Sequence, residues 1–126
     1  MNSFLLDTHV FIWAMEGHKR LPEKIIDKIT DPQNKVLVSV ATVWEIAIKS
    51  SLNQIRISFD IEKSIVKAGF EVLVIEVSHA LGIEKLPIYH KDPFDRILVS
   101  QAQAEGLTLV TSDQKIWKYD INILKC

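Results

Sequence analysis

Five short, nearly all-apolar runs constrain the fold of this chain most: Phe4-Leu5-Leu6, Lys35-Val36-Leu37-Val38, Glu71-Val72-Leu73-Val74-Ile75, Leu107-Thr108-Leu109-Val110 and Ile121-Asn122-Ile123-Leu124. Each has the length of a strand, and each is separated from the next by segments with helical spacing of apolar residues. A strand that is apolar on both sides needs cover on both faces. That is the situation of a parallel sheet whose crossover helices pack above and below it.

The helical segments carry start and stop signals. Val10, Phe11, Ile12, Trp13 and Met15 precede Gly17, and Ile25, Ile26 and Ile29 lie between Leu21-Pro22-Glu23 and Asp31-Pro32. Ser39 is an N-cap candidate for Val40, Val43, Trp44, Ala47 and Ile48. Ile55, Ile57 and Phe59 alternate as an extended link to a helix with Ile61, Ile65, Val66 and Ala68, capped by Gly69. A short helix is expected over residues 78–84, before Pro87. A strong one opens at Asp92-Pro93, runs to Ala104 and closes at Gly106, and residues 114–119 form a helical turn. The pattern predicts an α/β fold: one three-layer α/β/α domain over residues 1–126 with a five-stranded parallel sheet.

Composition narrows the setting. The 126 residues are 48% hydrophobic, too apolar for a disordered chain. The longest stretch without Asp, Glu, Lys or Arg is nine residues, 36–44, far short of the ~20 that cross a bilayer. No basic segment opens the chain as a secretory leader does. The single cysteine, Cys126, leaves no internal disulfide, and a reducing, cytoplasmic setting is expected. With 15 basic and 16 acidic residues the net charge is −1, which argues against a strongly basic coat but leaves room for a local basic patch.

Four acids are placed unusually. Asp7 directly follows the first strand and Asp113 the fourth, while Glu45 lies inside Val43-Trp44-Glu45-Ile46-Ala47 and Asp95 on the first turn after Asp92-Pro93. All strands of a parallel sheet end at one edge, and ligands bind in the crevice there. Helical side chains lean toward the helix N-terminus, which aims Glu45 and Asp95 at the same edge. Clustered carboxylates repel unless a cation neutralises them, and hard oxygen donors suit Mg²⁺, with Mn²⁺ as a substitute. The pattern points to a carboxylate-lined metal site for phosphodiester cleavage.

Each residue also has a plainer role open to it. Asp7, Asp92 and Asp113 are good helix caps, Asp95 complements a helix dipole, and Glu45 has Lys49 at i+4. Thr8, Ser39, Thr111 and Ser112 either orient carboxylates or cap and turn the backbone. His9 and His90 either contact phosphate or lie on the surface, with metal ligation by histidine not expected among so many carboxylates. Lys49, Lys91, Arg96 and Lys115 either line a nucleic-acid groove or are solvated. Trp13, Trp44 and Trp117 fit a core or an interface better than a base-stacking platform.

The motifs Leu5-Leu6-Asp7-Thr8-His9-Val10, Ser39-Val40-Ala41-Thr42-Val43-Trp44-Glu45-Ile46-Ala47-Ile48-Lys49, His90-Lys91-Asp92-Pro93-Phe94-Asp95-Arg96-Ile97-Leu98-Val99-Ser100-Gln101-Ala102 and Leu109-Val110-Thr111-Ser112-Asp113 resemble PIN-domain ribonucleases, specifically VapC-type toxins of type II toxin–antitoxin systems. The resemblance spans nearly the whole chain. It implies Mg²⁺-dependent endoribonuclease activity, a homodimer and a cognate antitoxin. It places the family's acidic quartet on Asp7, Glu45, Asp95 and Asp113, with Asp92 an additional acid. On this reading Asp7 and Asp95 are the leading metal ligands. Glu45 ligates or orients the attacking water and serves as base, and Asp113 completes the site. An antitoxin segment is expected over the carboxylate edge. Phe11, Trp13, Met15, Ile25 and Ile29 are either its apolar groove or core. Two other classes remain open: a non-catalytic binding module with structural acids, and a phosphatase-like domain. The second fits less well, because Asp7-Thr8-His9 lacks an acid two positions after Asp7.

Overall fold

The computed structural model describes residues 2–17 and 19–126. The chain alternates strands and helices: β1 Ser3–Leu6, α1 Thr8–Glu16, α2 Glu23–Thr30, β2 Lys35–Ser39, α3 Val40–Ser51, α4 Ile61–Lys67, β3 Glu71–Leu73, α5 Val77–Gly82, α6 Pro93–Glu105, β4 Thr108–Thr111 and β5 Ile123–Lys125. Short 3-10 turns occupy Ile83–Lys85 and Ile116–Lys118. The strands form one fully parallel sheet in the order β3-β2-β1-β4-β5. No helix among the described residues is long and apolar enough to cross a membrane.

Register explains why the strand sequences are apolar throughout. Leu5 aligns with Leu37 and Leu109, and Leu6 with Val38 and Val110. Side chains alternate across a strand. Phe4, Leu6, Val36, Val38 and Val110 therefore enter one core, with Val10, Phe11, Ile25, Ile29 and Ile65 from α1, α2 and α4. Leu5, Leu37 and Leu109 enter the other, with Ile97, Leu98, Val99 and Ala102 from α6. Helix α3 straddles the two, giving Ala41 to one and Ile46 to the other. The extended link packs Ile55, Ile57 and Phe59 against the first core.

The edge strands depart from the sequence expectation. β3 stops at Leu73 rather than Ile75, and Val72 and Val74 are exposed. β5 begins at Ile123 rather than Ile121. An edge strand has a partner on one side only, so fewer ladder bonds hold its ends. Residues 83 and 84, expected at the end of α5, instead belong to a 3-10 turn over Ile83–Lys85 that leads to Pro87.

Three helix starts position the functional edge. Asp7 caps α1, accepting from the Val10 N–H at 2.8 Å. Ser39 caps α3, accepting from Ala41 N–H at 3.0 Å. Asp92 caps α6, accepting from Phe94 N–H at 2.8 Å and Asp95 N–H at 3.2 Å, with Pro93 in the first turn. The opposite end of α6 closes on Gly106, whose φ of +66° turns the chain into β4.

Candidate metal centre

Asp7 lies at the end of the central strand and is buried. Its backbone N–H continues the ladder, donating to Val110 O at 3.1 Å. Its Oδ1 takes the α1 cap bond, and its Oδ2 accepts from the Thr111 hydroxyl at 2.5 Å. Thr111 Oγ1 in turn accepts from the Asp113 N–H at 3.0 Å, so the ends of β1 and β4 are tied together. Burial is the main cause of a raised Asp7 pKa, opposed by the bonds from Thr111 and Val10.

Glu45 is also buried, one turn into α3. Its Oε1 accepts from the Thr8 hydroxyl at 2.6 Å, and Thr8 contacts Thr42 Oγ1 at 3.2 Å. Its Oε2 is 2.7 Å from Lys49 Nζ. The Glu45 hydrogen bond is the leading cause of a raised Lys49 pKa.

Asp95 lies on the first turn of α6. Its pKa is raised from 3.8 to about 8, first by burial and then by the charges of Asp92, Glu45, Asp7 and Asp113. Asp113 follows β4, and its Oδ1 accepts from Lys115 N–H at 2.9 Å. Glu45, Asp7 and Asp113 all act on the charge of Asp95, so the four acids lie in one region.

The feature that sequence reasoning undervalued is His90. Its Nε2 lies 3.0 Å from Asp95 Oδ2 and 2.8 Å from Asp113 Oδ2. One donor atom from each of His90, Asp95 and Asp113 falls within 4.8 Å of the others, a spacing that suits a cation. The signal was present in His90-Lys91-Asp92-Pro93: a histidine just ahead of an acid-rich helix start has its ring within reach of that helix's first turn.

The remaining candidates divide. Thr8 and Thr111 orient carboxylates directly, whereas Ser39 is spent on its helix cap. No side-chain hydrogen bond joins Ser112 to any of the four acids among the described residues. Lys49 is paired with Glu45. The Arg96 guanidinium donates to the carbonyls of Ile83, Pro87 and His90, each at 3.2 Å, and so clamps the segment that carries His90. Lys91 and Lys115 are exposed. His9 is exposed, with its ring 5.9 Å from that of Trp13. Phe11 and Ile25 are core residues, while Trp13, Met15 and Ile29 line an apolar cavity of about 290 Å³ together with Leu21, Ile26 and Phe70.

The fold matches known structures over nearly its full length. VapBC2 from Rickettsia felis, bound to a DNA fragment from their promoter, aligns with a TM-score of 0.70 at 16% identity, over 98% of each chain. DNA-bound VapBC from Salmonella typhimurium aligns at 0.65 and 18%, over 99% of this chain and 98% of that one. VapBC-1 from nontypeable Haemophilus influenzae aligns at 0.63 and 21%, over 98% of this chain and 97% of that one. At these identities the likeness is one of fold. No curated protein matches the chain. A sequence-family model described as PIN domain matches residues 4–122. That match covers β2, β3, β4, all but the first residue of β1 and all four acids, and the chain belongs to the PIN domain family.

Proposed function

We propose that this protein is a Mg²⁺-dependent endoribonuclease and the toxin of a toxin–antitoxin pair, working in the cytoplasm. PIN domains are generally nucleases. The observation that carries the reading is the gathering of Asp7, Glu45, Asp95 and Asp113 at one end of the sheet, where burial and the neighbouring acids push the Asp95 carboxyl up to about 8. Such a concentration of acids, of which Asp7 and Glu45 are buried and held by Thr111 and Thr8, is unfavourable to folding unless a cation offsets it. Oxygen donors without sulfur fit Mg²⁺ or Mn²⁺.

Asp7, Asp95, Glu45 and Asp113 would hold the cation. When bound, it lowers the pKa of a water and stabilises negative charge on the phosphoryl oxygens. Glu45, fixed between Thr8 and Lys49, orients the attacking water and accepts its proton. Asp7 is fixed by its cap bond and by Thr111, so its carboxylate needs little reorganisation. Lys91 and Lys115 are the exposed cations left to meet phosphates of the RNA.

The solved relatives include VapBC complexes and a toxin–antitoxin complex from Klebsiella pneumoniae, which supports an antitoxin partner here. The cavity lined by Trp13, Met15 and Ile29 supplies an apolar seat for part of it. A homodimer is supported by α3 and its C-cap, where Val40, Trp44, Ile48 and Leu52 are exposed at four-residue spacing and form one apolar stripe, Trp44 packing edge-on against Phe94.

The deciding experiment incubates the purified chain with a pool of cellular RNAs and maps the new ends. Cleavage that needs Mg²⁺, stops with a chelator and is absent in Asp95→Asn is the expected result. RNA left intact at all Mg²⁺ concentrations overturns the reading.

A further inference from the structure

Thr111 serves two neighbours at once. Its hydroxyl bonds to Asp7 and Asp113, and its carbonyl faces the outer strand. That carbonyl accepts from Trp117 Nε1 at 3.0 Å and from the Cys126 N–H at 3.2 Å. Lys125 aligns with Thr111 in the β4–β5 ladder. The indole is thus pinned by its edge to the end of β4, and the exposed Lys125 ammonium lies 5.0 Å from the centre of its ring. All five strands are parallel, so the end of β5 shares the edge of the sheet that carries Asp7 and Asp113.

Other cations at this edge have their charge engaged. Lys49 is paired with Glu45, and Arg96 is bound to three carbonyls. Among the described residues no carboxylate pairs with Lys125. The indole attracts the ammonium through the negative face of its π system and so fixes where the charge sits. It offers no oxygen to the ammonium, whose N–H donors remain open to an anion. We propose that Lys125 binds an RNA phosphate flanking the scissile one, and that Trp117 is the positioning residue that holds its ammonium there. The proposal rests on the reading of this chain as a ribonuclease, and adds the side on which the RNA runs: from the four acids past Asp113 and over the end of β5. A phosphate contact positions the strand without reading its bases, so Lys125 serves RNAs of any sequence.

The test reads binding and turnover separately. In Asp95→Asn, where no cleavage is expected, anisotropy measures binding of a labelled pool of short, random-sequence single-stranded RNAs across a KCl series. Adding Lys125→Ala is expected to weaken binding about threefold to tenfold, and to make log K against log [KCl] shallower by about 0.7, the share of one phosphate. With Asp95 intact, Lys125→Ala is expected to raise KM on the same pool by a similar factor and to leave kcat within about twofold. Lys125→Arg is expected to keep both values. Trp117→Leu is expected to raise KM when Lys125 is present and to add nothing in Lys125→Ala, as a residue acting through Lys125 must. An unchanged salt slope and KM in Lys125→Ala overturn the proposal. So does a Trp117→Leu effect on KM that persists in full without Lys125. Should Trp117→Leu fail to fold, the slope and KM of Lys125→Ala decide alone. RNA left uncut by the unsubstituted chain overturns the ribonuclease reading and this proposal with it. RNA cut equally well by that chain and by Lys125→Ala, at every salt concentration, overturns this proposal alone.

Discussion

The Thr111 hydroxyl donates a hydrogen bond to Asp7 Oδ2 across 104 residues of sequence, and Thr111 Oγ1 in turn accepts from the N–H of Asp113 at 3.0 Å. One buried hydroxyl thus fixes the central carboxylate and the turn that carries the fourth acid. Thr111→Val keeps the shape and removes the donor. The expected cost is about 1–3 kcal/mol, because a buried carboxylate loses a partner. Mn²⁺ affinity is expected to fall about tenfold. Urea unfolding with and without Mn²⁺ measures both, and unchanged values would show that Asp7 is held by its cap alone.

Cation binding should raise the melting temperature, since a ligand of the folded state stabilises it. Asp7→Asn and Asp95→Asn are expected to remain folded and to lose most of the Mn²⁺-induced rise. A full rise in both variants would place the cation elsewhere.

Asp92 and Asp95 should separate by role. Asp92→Ala removes two bonds at the start of α6 and is expected to cost ~1 kcal/mol while leaving substantial cleavage. Asp95→Ala is expected to abolish cleavage at a smaller cost in stability. A dead but fully stable Asp92→Ala would reverse the two assignments.

Without metal, stability should fall as pH rises. The Asp95 pKa is raised to about 8 in the folded chain, whereas the unfolded group titrates near 3.8. Between these values the unfolded state loses its proton first, so the folded state is favoured at the acid end of the window and loses that advantage toward pH 8. Urea midpoints in chelator are expected to be higher at pH 5 than at pH 8, and Asp95→Asn should narrow the difference. An equal difference in the variant would remove Asp95 as its source.

The stripe on α3 gives a test of assembly. Trp44 is 56% and Leu52 60% exposed, and a charge placed among them should prevent a second copy from packing there. Ile48→Glu is expected to halve the mass measured by light scattering without unfolding the chain. A two-chain mass kept by the variant would move the interface off α3, and a one-chain mass in the wild type would overturn the dimer.

Much of this was legible in the sequence because burial writes itself into residue type. The central strands are apolar on both sides, so Leu5 and Leu6 announce two cores at once. The caps at Asp7, Ser39 and Asp92 are local, set by residues two or three positions apart, and the acids follow from where strands end. What the sequence did not display is long-range choice. Nothing local says that Arg96 gives its charge to three carbonyls rather than to a phosphate, or that the His90 ring reaches Asp113, 23 positions on. Nor does an apolar run such as Val72-Leu73-Val74 reveal that it forms the sheet's edge, with one face in solvent.

The strand order has a consequence for synthesis. The central strand is the first one made, yet its neighbour β4 is the fourth. A ribosome that has released α1, α2 and α3 has released Asp7 and Glu45, but not Thr111, His90, Asp95 or Asp113. The nascent chain therefore holds half its acids without the groups that orient them. Assembly of the centre waits for β4 to dock on the open edge of β1, so the four acids come together only after α6 and β4 have been made.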